Sequence, residues 1–133
     1  MPKVKRHYFP KNRSGDCGEN AVQSVLSMYG KGTNIKIATK DGTSPKKITS
    51  TLKKKGIKAK AKDSVAFKSI KPKSIAWYPR DDHYVAIEKN NGKEVIVNDS
   101  SAKGTKKMSQ KQFERVWHEK GSKRGYVIET KKK

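Results

Sequence analysis

The sequence is poor in the residues that build disulfides and metal centres. It has one cysteine, Cys17, and three histidines, His7, His83 and His118, in 133 residues. A single cysteine excludes an internal disulfide and any cysteine-based zinc cluster. The scattered histidines do not form a ligand pattern, so neither a metal nor a cofactor is expected. Apolar residues make up only 32% of the chain, and no run approaches the ~18 consecutive apolar residues that span a bilayer. The basic start, Met1 to Tyr8, is not followed by an apolar h-region, which argues against a signal peptide. A soluble, cytoplasmic chain is the expectation, with the oligomeric state left open.

Acidic residues are also few, 12 Asp+Glu against 33 Lys+Arg, for a net charge of +21. Such an excess favours an anionic partner: nucleic acid, an anionic polymer or lipid, or an acidic peptide. Only five of the 33 basic residues are Arg. Base-edge and phosphate readers lean on Arg, which weighs against specific nucleic-acid recognition. Runs such as Lys53-Lys54-Lys55 read as solvated helix faces, and no stacking platform of interleaved aromatic and basic residues is evident.

What is present is the length of one domain, with a core large enough to fold unaided. Residues 1–13 read as a basic N-terminal segment, 14–130 as a single domain and 131–133 as a basic tail. Ala21, Val22, Val25, Leu26 and Tyr29 recur on one helical face before Gly30, predicting a helix from about Cys17 to Tyr29. Ile35, Ile37 and Ala38 suggest a short second helix. Ser44-Pro45 then opens a helix carrying Ile48 and Leu52, which Gly56 ends. The period changes at Ile57-Lys58-Ala59-Lys60-Ala61, which alternates as a strand. Ser74–Tyr78 and His83–Glu88 predict two more strands, and Asn91-Gly92 turns into Glu94–Val97. Ser109-x-x-Gln112 is a capping box before a helix with Phe113, Val116 and Trp117. Gly125–Glu129 reads as a final strand. Helices followed by a hairpin-connected, mostly antiparallel sheet argue an α+β fold.

Three residues are candidates for chemistry. Cys17 starts a helix, where the positive end of the dipole and unpaired N–H groups favour a thiolate. A free cysteine is more often a small buried hydrophobe, and by itself this one reads so too. His83 opens a strand after the polar turn Pro79-Arg80-Asp81-Asp82, where a base is readily presented. Asp99 follows the strand that is hairpin partner to His83's own, so the two share one sheet edge. Its carboxylate can orient the imidazole, and it also suits the turn Asp99-Ser100-Ser101.

Taken together, these pieces resemble a family. Asp16-Cys17-Gly18 opens a helix, Tyr29-Gly30 ends it, and Gly42-Thr43-Ser44 precedes the next. The stretch Lys54 to Ala61 is similar to a helix-to-strand step, and Ile75-Ala76-Trp77 leads to His83-Tyr84-Val85-Ala86-Ile87. A hairpin from Gly92 to Asp99 and a closing helix from Met108-Ser109 to Trp117 complete the order. Over about residues 14–118 this resembles the bacteriocin-processing, double-glycine peptidases, which are papain-like cysteine peptidases. The resemblance implies a papain-like fold, with Cys17 as nucleophile, His83 as base and then acid, and Asp99 as orienter. The implied reaction is hydrolysis of a peptide or isopeptide bond through an acyl-enzyme, on a peptide or leader-peptide-like substrate.

Two departures stand out. Where the family has an oxyanion glutamine, about six residues before the cysteine, this chain has Lys11, with Asn12 beside it. Asn12 would donate if the loop is shifted, and Lys11 would act by charge. Asp99 is followed by Ser100 where the family usually has proline. Family members are commonly the front end of a membrane transporter, and these residues include neither membrane helices nor a nucleotide-binding loop, so a stand-alone member is expected. The competing reading is a degenerate papain-like domain that binds an anionic partner through its lysines.

Overall fold

A computed structural model describes residues 9, 17–37, 43–79, 82–100, 105–118 and 125–132. Among these residues three α-helices pack on a six-stranded sheet in which every pairing is antiparallel, in the order β1-β6-β2-β3-β4-β5. The elements are α1 (Cys17–Met28), α2 (Pro45–Lys54), β1 (Ile57–Lys62), β2 (Ser74–Tyr78), β3 (His83–Asn90), β4 (Glu94–Asn98), β5 (Thr105–Ser109), α3 (Gln110–Trp117) and β6 (Val127–Lys132). No helix of the described residues is long and apolar enough to cross a membrane.

Local chemistry sets the helix ends. After α1, Gly30 takes φ +72°, and the Lys31 and Gly30 N–H groups reach back to the carbonyls of Leu26 and Ser27 at 2.9 and 3.0 Å. That pairing closes the last turn and satisfies two orphan carbonyls. The Ser44 hydroxyl accepts from the Lys47 N–H and Pro45 follows as the first helical residue, fixing the start of α2. At α3 both arms of the capping box form, Ser109 with the Gln112 N–H and Gln112 with the Ser109 N–H.

The sheet divides two cores. On one face α1 and α2 bury Val22, Val25, Leu26, Ile48 and Leu52 against Ile57, Ile75, Tyr84, Ala86 and Ile128. On the other, α3 and the 67–70 segment set Phe113, Trp117, Phe67 and Ile70 on Val85, Ile87, Val95, Val97 and Val127. Alternation along β2 and β3 supplies both faces, as the period of two requires.

Three features differ from the sequence expectation. No helix forms at Ile35 and Ile37: residues 31–37 have no regular structure, and Ala38 lies outside the described residues. The two isoleucines sit at extended spacing and pack at the margin of the α1 core, and the Ile37 N–H donates to Glu19 Oε1 at 2.7 Å. Strand β5 was not foreseen; its single buried residue, Met108, does not alternate visibly. Finally β6 runs on through Lys131 and Lys132, which pair with Lys58 and Ile57.

Candidate active site

The site forms at the end of the sheet where β3 begins and β4 stops. Cys17 is the first residue of α1, so its sulfur lies at the helix N-terminus, among N–H groups with no intrahelical partner. Behind it Gly18 allows a close crossing: a Cβ there would stand 2.8 Å from the Thr43 Cβ. The Asp-Cys-Gly glycine is therefore a steric requirement of packing α1 against the approach to α2.

His83 is 8% exposed, and its Nε2 meets Asp99 Oδ1 at 2.6 Å. A defect in the sheet makes that contact. Near the hairpin tip β3 and β4 pair Asn90 with Val95 and Lys89 with Ile96; further on they pair Ile87 with Val97 and Ala86 with Asn98. Glu88 is the extra residue, a β-bulge. Were the tip register to run on without the bulge, with Glu88 paired and no residue looped out, Asp99 would stand opposite Ala86, whose side chain lies in the α1 core. With it Asp99 stands opposite Val85, on the same face as His83, because a one-residue slip flips every side chain. Residue Asn98 is tied down on both sides, donating to Glu88 Oε1 at 2.9 Å and accepting from the Thr105 hydroxyl at 2.7 Å. That bracing fixes the strand end from which Asp99 projects.

Asp99 occupies Nε2, which leaves Nδ1 for the hydrogen bond that joins His83 to Cys17. Burial pushes the Cys17 thiol up. The His83 hydrogen bond, the Tyr84 N–H, the imidazolium charge and the Gly18 N–H outweigh it, and the net effect is a thiol held below its ordinary value. Burial pulls His83 down, but the hydrogen bonds to Asp99 and Cys17 and their negative charges raise it to about 9. Each group thus favours the charged form of the other.

Tyr78, opposite His83 in the β2–β3 register, covers the pair. Its ring lies 5.8 Å from the imidazole and 5.9 Å from Phe113. Burial and the Asp99 charge push the phenol well above its ordinary range, so it stays neutral. Its hydroxyl donates to Met108 Sδ at 3.8 Å. On the α1 side, the Cys17 thiol points at the Asp82 carbonyl, 3.9 Å away, and Trp77 Nε1 donates to Asp82 Oδ1 at 2.8 Å.

The structure therefore brings Cys17, His83 and Asp99 together. Lys11 and Asn12 lie outside the described residues. Reading the sequence missed Tyr78, Trp77, Asp82 and the Glu88 bulge. The sole signal for the first three was their position flanking a turn that leads into the histidine; for the bulge there was none. Among the described residues, no group of His, Cys, Asp or Glu is arranged to hold a metal ion.

Comparison with known proteins agrees with this architecture. A double-glycine-motif protease from an AMS/PCAT transporter, crystallised in complex with a leader peptide, superposes with a TM-score of 0.76 at 20% identity, over 95% of this chain and 91% of that one. The peptidase domain of Streptococcus ComA, a bifunctional ABC transporter involved in quorum sensing, gives 0.73 at 20% identity, over 93% and 96%. That of Streptococcus mutans ComA gives 0.68 at 18% identity, over 94% and 98%. No curated protein sequence matches. The family model that does match covers residues 5–122, nearly the whole folded unit with its thiol, imidazole and carboxylate in order, and the chain belongs to the peptidase C39 family of papain-like cysteine peptidases.

Proposed function

We propose that the chain hydrolyses a peptide bond that follows two glycines in a leader-type peptide, with Cys17 as nucleophile, His83 as base and acid, and Asp99 as orienter. The observation that carries this is the relay itself: thiol to imidazole, and imidazole to carboxylate at 2.6 Å. The leader peptide bound to the transporter protease supports the substrate class, and the same reading puts the chain's work on the cytoplasmic side of a membrane.

The relay supports the following order of steps. His83 takes the thiol proton, and the sulfur electron pair attacks the scissile carbonyl, whose π pair moves onto oxygen. An oxyanion formed beside Cys17 lies at the N-terminal end of α1, whose first amides are its nearest donors, and the family resemblance assigns a further donor, worth roughly 3 kcal/mol of barrier, to Asn12 or Lys11. Collapse breaks the C–N bond as His83 returns its proton to the leaving amine. Water, deprotonated by the now neutral His83, then cleaves the thioester and regenerates the thiol.

The basic surface supports a preference for acidic peptides. Lys58, Lys60, Lys71 and Lys131 line a shallow depression of about 380 Å³ on β1 and β6. Lys58 stands directly opposite Lys131, and Glu129, beside them, is held by Lys62 at 2.9 Å. Like charges opposed in this way cost stability unless an anion relieves them.

The test is cleavage of matched peptides that differ only in Gly-Gly or Ala-Ala before the scissile bond, with products read by mass. The proposal expects one cut, after Gly-Gly, absent with Cys17→Ala. Equal cutting of both peptides, or cutting that survives Cys17→Ala, contradicts it.

A further inference from the structure

The link between β2 and β3 carries a contact that the relay does not account for. The hairpin closes at Tyr78 opposite His83, and the last residue of its connection, Asp82, has φ +47°. That left-handed region is uncommon outside glycine, although Asp and Asn enter it most readily. Asp82 is exposed, so core packing does not hold it there. Its N–H reaches the Pro79 carbonyl only at 3.4 Å. The short contact is the one from Trp77 Nε1 to its carboxylate, at 2.8 Å.

Trp77 is a well-anchored donor. It lies within β2 opposite Tyr84, is half-buried against the α1 core, and meets the Tyr126 ring edge-on at 6.0 Å. The group it holds matters because the Asp82–His83 peptide unit joins two parts of the site. Its carbonyl accepts from the Cys17 thiol, and its nitrogen belongs to His83. A swing of Asp82 into the ordinary extended region would rotate that unit and shift both partners of the relay.

We infer that the Trp77–Asp82 hydrogen bond is a positioning clamp, which locks the strained residue before His83 and so sets the alignment of Cys17 with His83. This rests on the reading of Cys17 and His83 as a working pair. Neither Trp77 nor Asp82 touches the reacting atoms through its side chain, so both are positioning residues.

Electrostatics gives the inference a sign that a bare charge effect cannot imitate. The pair is faced by Asp99 and Tyr78 on one side and by Tyr84 on the other, with the Asp82 carboxylate beyond Tyr84. As a negative charge alone, the Asp82 carboxylate opposes a thiolate, and removing it would lower the pH at which Cys17 ionises. As a clamp it does the reverse: its loss loosens the imidazole contact and raises that pH.

The experiment is the rate of Cys17 alkylation by iodoacetamide against pH, on the full chain, for wild type, His83→Ala, Trp77→Phe, Asp82→Ala and Asp82→Asn. Trp77→Phe keeps an aromatic ring in the strand and removes the donor. Asp82→Asn keeps an acceptor and removes the charge. The clamp predicts that Trp77→Phe and Asp82→Ala move the inflection up by about one unit, a roughly tenfold loss of thiolate at pH 6. Asp82→Asn stays at or below wild type, which also shows that the position tolerates change. An inflection at or below wild type in either Trp77→Phe or Asp82→Ala overturns the clamp. If wild type shows such a low inflection and His83→Ala removes it, that failure belongs to the clamp alone. A wild type that titrates as an ordinary thiol, indifferent to His83→Ala, defeats the paired reading and the clamp with it.

Discussion

At the scale of single residues, the account turns on proton placement. His83 is charged up to about pH 9, and the leaving amine needs its proton from that group. Peptide hydrolysis should therefore climb as Cys17 ionises and fall again near pH 9. Asp99→Asn removes the carboxylate that most raises His83; the upper limb should then move down, measurable as the pH profile of kcat. The same linkage bears on stability. The folded state holds the His83 proton more tightly than an unfolded chain does, so this contribution is complete below ~6.5 and lost between there and about 9. Identity and order made Cys17, His83 and Asp99 legible in the sequence. A helix start, a strand start and a hairpin partner's end are local signals, and the hairpin placed two of the three at one edge. Which face Asp99 occupies was not legible. That depends on where a bulge falls, and no residue type announces it.

Deleting Glu88 removes the looped-out residue, so that Lys89–Ile96 and Ile87–Val97 become consecutive pairs and Asp99 stays opposite Val85, on the face of His83. The expected result is a folded protein whose His83, followed by NMR titration, stays raised toward about 9; a fall toward ~6.5 would show that the bulge itself, and not the register, holds the contact. On the opposite face, Trp117 packs against Gly125, where a Cβ would clash with the six-membered ring of the indole, and donates Nε1–H to the Tyr126 carbonyl at 3.1 Å. Gly125→Ala should cost about 1–3 kcal/mol by overpacking, seen as a lower urea midpoint at unchanged slope. Most helices and strands were legible because caps, glycine stops and alternation agree with the final packing. Strand β5 was not, since Thr105–Ser109 is held by pairing with β4 and presents one buried side chain. The segment around Ile35 and Ile37 misled for the converse reason: two apolar residues fit either period, and the anchor that decides between them is a side chain on α1.

For the whole molecule, the question is what a charge of +21 does for a peptidase. The lysine depression lies at the far end of β1 and β6 from His83, since β6 pairs with β2 around Ile75 and Ala76 and continues away from Tyr78. A peptide reaching both sites would be held by charge at one end and cut at the other. Raising NaCl from about 50 to 300 mM should then increase KM for an acidic peptide severalfold with kcat unchanged, while a neutral peptide responds little. Equal salt response of both peptides would remove the charge from substrate binding. Beneath all of this stands one claim, that Cys17 and His83 form a thiolate–imidazolium pair. The most direct measurement is the pH dependence of Cys17 alkylation in wild type and His83→Ala. The account predicts an inflection well below ~8.5 in wild type that rises when the imidazole is removed. A single titration near ~8.5 in both proteins would contradict it.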